Sequence, residues 1–477
     1  MNFCLRVLLL VSLLATASGA RAETPQSPSP PKEFDLGAID AYLAAQVRDQ
    51  GYPGLAVTIV RDGKILLAKG YGQRDLESHA PVEPDTPFAI GSVTKQFTCA
   101  CIFLLAEDGK LSVRDKVAKY YPDLTRAGDI TLYDLMTHAS GYPDYYPLDF
   151  VDRRLRKPIS IDKVLIEYAG GKLDFEPGTR WSYSNTGYLL LGRIVEKVSK
   201  EPMSEFLSRR ILKPLGMNHS AFGPGGDLPG RAHGYSSFAL GPQEPAPTEA
   251  DGWLHAAGGL WASAPDLARW GLALVEGKVL KPESFNLMTT RRKLADGRTK
   301  DYGCGLGIYQ RDGETVLMHS GAVSGYQSYN AVVPRTKSAV ILLTNSEHLD
   351  PGALHRTVLN LLLKDQAEKE APEVPKVKGP PPKEVALDFL HQMQAGAVDR
   401  DKLGEEFSLY LSDERLRAAA PRLKALGEPE KVEVEHVAER GGMEVASIRF
   451  TFKTAVLKAS LYRTPDGKIQ QLLFSKG

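Results

Sequence analysis

A charged, proline-rich run from Glu368 to Glu384 (EKEAPEVPKVKGPPPKE) divides this chain more decisively than any other feature. Proline lacks an N–H and fixes its own φ, so such a run can neither continue a helix nor sit in a central strand. It reads as a linker. The chain is therefore expected to fold as two units: a large one over 34–367 and a small one over 385–477. The first is long enough to enclose a substantial core.

Within the larger unit, Leu36 to Gln50 has helical periodicity. Leu55 to Val60 and Lys64 to Lys69 are apolar, β-branched runs joined by Asp62-Gly63, a hairpin signal. Helical patterns dominate from about Cys99 to Leu215. Thr131 with Asp134, and Ser263 with Asp266, have the spacing of capping boxes. Strand-like runs return at 315–318, 327–333 and 338–343, and Leu354 to Leu363 closes the unit as a helix. Strands near both ends with helices between them predict an α/β sandwich: a mostly antiparallel sheet with an inserted helical lobe. Beyond the linker, a helical stretch from Val385 to Leu426 precedes four alternating runs, 432–438, 443–452, 455–462 and 468–475. Turns at Gly441-Gly442 and Pro465-Asp466-Gly467 make this a small α+β module with an antiparallel meander. No catalytic constellation is visible in it.

The N-terminus reads as a targeting segment. Arg6 precedes an apolar run from Val7 to Ala17, followed by Gly19-Ala20-Arg21-Ala22. This is the pattern of a signal peptide over residues 1–22, with an exported protein, periplasmic or secreted, as its consequence. Residues 23–33 are a Pro/Ser spacer expected to be disordered. No later segment is apolar over a membrane-spanning length.

Charge excludes some partners. The 59 Lys and Arg against 58 Asp and Glu leave a net charge of +1, with no basic excess to hold nucleic acid. Cys99, Cys101 and Cys304 would remain after cleavage, an odd number that provides no disulfide framework and reads as buried thiols. Neither a paired CxxC nor an HExxH occurs, so no metal and no cofactor is expected.

Three short patterns can carry chemistry. Ser92-Val93-Thr94-Lys95 precedes an apolar helix, Tyr183-Ser184-Asn185 follows Glu176-Pro177-Gly178, and His319-Ser320-Gly321 ends a strand-like run. A serine hydroxyl needs a base to attack a carbonyl. One helical turn places Ser92 and Lys95 on the same face, where a desolvated amine can accept the hydroxyl proton. Tyr183 can relay that proton to the leaving group. Asn185 can donate to a substrate carbonyl, and the backbone N–H groups of Ser92 and Ala322 can form an oxyanion hole. SxxK alone is weak: it occurs also at Ser29–Lys32, in the spacer, and at Ser160–Lys163, where Ser160 reads as a helix cap. The ordered set is far more specific.

That set resembles the serine β-lactamase and penicillin-binding protein family: class C β-lactamases, D-Ala-D-Ala carboxypeptidases, D-aminopeptidases and related esterases. Thr131 to Pro143 (TLYDLMTHASGYP), Phe175 to Gly178 (FEPG) and Gly258 to Leu267 (GGLWASAPDL) are also similar to that family. The resemblance covers roughly Phe34 to Lys364. It implies a β-lactamase/transpeptidase-like fold, Ser92 as the acylated nucleophile, and Lys95 and Tyr183 as general base and acid. It also implies that Asn185, His319, Ser320 and Gly321 bind substrate.

The third motif departs from the β-lactamase pattern, with His319 where Lys is usual. A largely neutral histidine holds a substrate carboxylate less firmly. Peptidase or esterase action on a small molecule or peptide, including peptidoglycan-derived ones, therefore ranks ahead of β-lactam hydrolysis. A non-catalytic binding or sensing protein on the same fold is the remaining alternative. His138 is expected to tie down its turn, and Trp253, Trp261 and Tyr326 either to line the cleft or to fill the core.

Overall fold

The computed structural model describes residues 30–31, 34–146, 151–223, 228–311, 313–363 and 375–477. The expected signal peptide and part of the linker lie outside these residues. Helix α1 (Leu36–Gln50) leads into the hairpin β1 (Gly54–Arg61) and β2 (Lys64–Asp75). Its turn residues Asp62 and Gly63 have φ of 52° and 72°, the left-handed pair that a two-residue hairpin requires. β2 runs six residues past the apolar stretch that announces it, because its later half is polar and pairs in part with the short β3 (Ala80–Pro81).

The helical lobe follows, with α2 (Thr94–Glu107), α3 (Asn185–Ser199) and α4 (Ala264–Val275) among its elements. The chain then returns as β4 (Gly307–Arg311), β5 (Glu314–Val323), β6 (Tyr326–Val333) and β7 (Ser338–Thr344), and closes with α5 (Gly352–Leu363). Among the described residues these strands form one seven-stranded antiparallel sheet in the order β4-β5-β6-β7-β1-β2-β3.

Strands β1 and β7 are buried almost throughout because the sheet is covered on both faces. Leu55, Val57 and Ile59 of β1 and Val340 and Leu342 of β7 pack under α1 and α5. Ala56 and Val60, with Ile341 and Leu343, face Phe97 of α2 and Leu267 and Trp270 of α4. Alternate side chains of one strand thus enter two different cores.

The capping signals divide. Thr131 and Asp134 form a reciprocal capping box. Ser263 accepts from the Asp266 N–H, but the Asp266 carboxylate turns instead to the His219 N–H and the Ser220 hydroxyl. Ser160 sits at the N-cap of the helix Ile161–Tyr168 without a side-chain capping bond.

After the linker, α6 (Pro382–Ala395) begins at a proline in the first turn, slightly inside the segment read as linker. Then come α7 (Glu405–Tyr410), α8 (Asp413–Lys424) and a meander of β8 (Lys431–Arg440), β9 (Met443–Thr451), β10 (Val456–Arg463) and β11 (Ile469–Lys476). Phe389, Phe407, Ile448, Leu461 and Phe474 build a separate core. That core extends onto the larger unit, because Val151 and Ala239 belong to it. Arg422 donates to the Ala239 carbonyl at 3.1 Å, and Arg153 faces Glu406 at 3.3 Å.

Candidate active site

Ser92 lies in a tight turn, Gly91–Val93, at the head of α2, and Lys95 lies one turn along. Edge residues of β5 press against this turn. Since β4 pairs only with 314–318, residues 319–323 leave one side of β5 without a strand partner. Two glycines permit the approach. A Cβ on Gly321 would stand 2.0 Å from the Ile90 carbonyl oxygen and 2.9 Å from the Ser92 nitrogen. Gly91 has φ of 50°, and a Cβ there would stand 2.9 Å from the Ala322 nitrogen. The Ser328 hydroxyl holds the Ile90 carbonyl at 2.8 Å. The Ser92 and Ala322 amides are thereby brought to one place. The HSG triplet lies inside β5, not at its end, and the strand continues to Val323.

Lys95 is fully buried, and its Nζ has three oxygen neighbours: Asn185 Oδ1 at 2.7 Å, the Ala257 carbonyl at 2.7 Å and Ser92 Oγ at 3.0 Å. Burial pushes the Lys95 pKa well below that of an ordinary lysine. The Asp144 carboxylate opposes this shift and the Arg440 guanidinium reinforces it. A neutral amine has two N–H donors and one lone pair. In that form, with the Asn185 and Ala257 oxygens taking the donors, the lone pair is left for the Ser92 hydroxyl. This is the geometry of a serine with its base in place.

Asn185 begins α3 and fixes this arrangement from behind. Its Oδ1 must face the lysine, so its Nδ2 faces Asp144, at 3.1 Å from Oδ1 and 3.3 Å from Oδ2. Asp144 Oδ1 also accepts from the backbone N–H groups of Asn185 at 3.0 Å and Tyr146 at 3.1 Å. Burial raises the Asp144 pKa, while Arg440 and these donors pull it down. Both ends of the Asn185 amide are engaged with Lys95 and Asp144, and a bond to a substrate carbonyl would require loosening that pair. Asp144 escaped the sequence reading because it belongs to none of the three motifs. Its one signal is its place directly after Ser140-Gly141-Tyr142-Pro143.

Tyr183 packs its ring 4.3 Å from the His138 ring, with Lys95 Nζ 4.9 Å from its centroid. His319 stands 6.3 Å away, ring to ring. A chain of hydrogen bonds sets both histidine tautomers. His138 Nδ1 accepts from the Ser184 N–H at 3.1 Å, so its Nε2–H donates to the Tyr302 hydroxyl at 3.2 Å. The Tyr302 O–H then donates to His319 Nε2 at 2.9 Å, and His319 Nδ1–H donates to the Ser320 carbonyl at 2.5 Å. Burial, helped by Lys95, pushes the His319 pKa down to about 3, and burial depresses His138 as well. Both rings are neutral. His138 thus anchors its turn, as expected, and Tyr302 is a second residue the motifs did not announce. Ser320 is exposed beside the buried His319 and Gly321.

Beside the nucleophile turn lies a cavity of about 440 Å³ bounded by Arg231, Glu249, Trp261, Ser324 and Tyr326. Trp261 and Tyr326 meet edge to face at 5.3 Å on its wall, while Trp253 is buried in the core. Cys99, Cys101 and Cys304 are buried, and burial raises their thiol pKa values. Among the described residues no cluster of three metal-ligating side chains occurs, and no helix is long and apolar enough to cross a membrane.

Protein flp of Staphylococcus aureus (strain MRSA252) is 26% identical over 318 residues, covering 64% of this chain and 62% of that protein. The chain thus spans under two thirds of the length of this relative. Among solved structures, the octameric penicillin-binding protein homologue from Pyrococcus abyssi superposes with a TM-score of 0.63 at 25% identity, over 93% of this chain and 100% of that one. The D-amino acid amidase from Ochrobactrum anthropi SV3 shares the fold, with a TM-score of 0.60 at 24% identity over 69% of this chain and 98% of its own. Residues 39–364 match the Beta-lactamase family, and the chain, with its antiparallel sheet, helical lobe and additional C-terminal sheet, belongs to that family.

Proposed function

We propose that this protein is a serine hydrolase that cleaves amide or ester bonds through a Ser92 acyl-enzyme, acting as a D-amino-acid peptidase or esterase. The observation that carries this reading is the placement of Lys95 Nζ, with two carbonyl-type oxygens on its donors and Ser92 Oγ at 3.0 Å. In acylation, Ser92 Oγ bonds to the substrate carbonyl carbon and its proton passes to Lys95. The oxyanion rests on the Ser92 and Ala322 amides. The C–N or C–O bond then breaks, and the leaving group takes the proton by way of Tyr183. A water molecule attacks the ester, gives its proton back through the same groups, and releases the acid and the free Ser92 hydroxyl.

The choice of substrate rests on His319. A ring held neutral gives a β-lactam carboxylate no cation at the position where class C β-lactamases usually carry lysine. The O. anthropi amidase shares only the fold and does not decide the substrate. Export remains part of the proposal, on the strength of Arg6, the apolar run Val7 to Ala17 and the small residues up to Ala22.

A panel of D-Ala-D-Ala peptide, D-amino-acid amide, p-nitrophenyl ester and nitrocefin, assayed side by side, tests the reading. Peptide, amide or ester should turn over in preference to nitrocefin. Ser92→Ala should abolish both turnover and covalent labelling by a fluorophosphonate. Unchanged labelling in that variant would refute the assignment, and ligand binding without product or adduct would favour the non-catalytic alternative.

A further inference from the structure

At the tip of the β8–β9 hairpin, Gly441 and Gly442 have φ of 58° and 78°, which makes the turn tight. Glu439 closes it by accepting the Gly442 N–H at 2.7 Å, and the same carboxylate oxygen accepts from the Ser182 hydroxyl at 3.1 Å. Ser182 is the residue before Tyr183. On its other side this segment hangs from the His138 turn: the Ser182 N–H donates to the His138 carbonyl at 3.1 Å, and the Ser184 N–H to His138 Nδ1 at 3.1 Å. Tyr183 therefore sits between two holds, one from each unit of the chain. Arg440 reaches the Asp144 loop. One guanidinium nitrogen donates to the Tyr146 carbonyl at 3.3 Å, the other to the Tyr462 hydroxyl of β10 at 3.4 Å. The N–H of the same Tyr146 donates to Asp144 Oδ1 at 3.1 Å, and Asp144 in turn holds the Asn185 amide against Lys95. The guanidinium carbon also lies 5.8 Å from the centroid of the Tyr183 ring. A planar fork anchored to its own sheet thus meets both loops at once.

We propose that Glu439 and Arg440 are positioning residues for hydrolysis: the hairpin of the small unit fixes the loops that carry Asp144 and Tyr183 relative to each other, so the catalytic site is complete only with that unit in place. The inference rests on the hydrolase reading above and gives a part in it to a unit that shows no chemistry of its own. Neither residue needs to touch substrate. Lys95 is held by the ladder of α2, whereas Asp144 and Tyr183 both sit on irregular segments, which shift more readily than helices or strands. Reaction geometry is sensitive to such shifts, since a displacement of about 1 Å can cost roughly 10²-fold in rate. The hairpin can act as a clamp because it is itself held. Its strands pair from Lys431 with Thr451 to Arg440 with Met443, and its unit docks through the Arg422 bond to the Ala239 carbonyl.

The test uses the full chain, a neutral p-nitrophenyl ester, and fluorophosphonate titration to its endpoint, so that kcat is expressed per reactive Ser92 and unfolded molecules do not count. Arg440→Ala and Glu439→Ala should each lower kcat, and the rate of fluorophosphonate labelling with it, about ten- to a hundredfold. KM for the ester should stay near wild type, because Lys95 and Tyr183 serve both half-reactions. Glu439→Gln keeps an oxygen for Ser182 and Gly442 and should recover most of the rate. Arg440→Lys returns the charge without the fork and should recover part. Arg422→Ala breaks a docking bond away from the hairpin, and should lower the melting temperature while leaving kcat near wild type. Where an alanine variant fails to fold, Arg440→Lys decides: an intermediate kcat is expected, and a wild-type kcat overturns the proposal. Wild-type kcat in both alanine variants overturns it as well. So does a loss confined to KM, which would make Arg440 a substrate contact, or an equal loss of kcat in Arg422→Ala, which would make docking alone the cause. Wild-type protein that labels and turns over, with hairpin variants that match it, sinks this inference alone, whereas no labelling and no turnover in wild type sinks the hydrolase reading with it.

Discussion

Asp144→Asn is the substitution that most sharply separates positioning from chemistry in this site. Asp144 Oδ1 receives the backbone N–H groups of Asn185 and Tyr146, and an asparagine can keep its own oxygen there. That oxygen also stays 3.1 Å from Asn185 Nδ2, so the change falls on the Oδ2 position, 3.3 Å from the same nitrogen. An amide nitrogen in that place opposes donor to donor, a cost of about 1–3 kcal/mol for buried polar groups. The simplest relief is a flip of the Asn185 amide. That flip turns Nδ2 toward Lys95, where a neutral amine would accept from it, and the lone pair then leaves Ser92. The cost should therefore appear mainly in rate. Loss of a positioned general base lowers kcat/KM by about 10²- to 10⁴-fold. The same 1–3 kcal/mol shifts thermal unfolding by only about 1–4 °C for a unit of this size. The assay is stopped-flow acylation by a p-nitrophenyl ester alongside a thermal melt. A variant that acylates at the wild-type rate would refute the argument that Asp144 holds Lys95 through Asn185. Collapse of the fold would show instead that Asp144 is principally a structural anchor.

Other outcomes follow from the same geometry. Gly321→Ala should lower acylation by at least the roughly 10²- to 10³-fold expected for loss of an oxyanion donor, because its Cβ would lie 2.0 Å from the Ile90 oxygen; near-normal acylation kinetics would contradict the packing of β5 on the nucleophile turn. Tyr302→Phe removes the hydroxyl between His138 and His319 and should raise KM more than it lowers the labelling rate of Ser92, as read from ester kinetics and fluorophosphonate labelling. Stability should fall in acid. Burial depresses His319 to about 3 and His348 and His355 to about 4, below an unfolded value of about 6.5. The unfolded chain then binds more protons, so their stabilisation is complete above that value and is lost as pH drops toward 4 and 3. Melting temperatures measured between pH 7 and 4 check this, and a flat profile would contradict it.

What the sequence disclosed was what local pattern can encode. The apolar, β-branched runs, the Asp62-Gly63 turn and the Thr131–Asp134 capping box depend on neighbours a few residues away, and each has its counterpart in the fold. The pairing of Ser92 with Lys95 was legible because one helical turn joins them. Asp144, Tyr302 and Arg440 were not, since each acts across long stretches of chain with no spacing rule. Arg440 was least visible of all. It lies in a unit that displays no motif, and the docking of that unit through Val151, Ala239 and Ser182 brings it beside the Tyr183 ring. The amide of Asn185 shows the limit of residue type: type alone suggested a substrate contact, and only the fold reveals its place between a buried lysine and a buried aspartate.

The central claim is that Ser92, activated by Lys95, carries the acyl group. Intact-protein mass spectrometry after rapid quenching with a p-nitrophenyl ester, followed by peptide mapping, tests it directly. The account predicts one acyl adduct at neutral pH, located on the peptide that contains Ser92 and lost in Lys95→Ala. Turnover accompanied by an adduct on another residue, or an adduct that forms equally fast without Lys95, would contradict it.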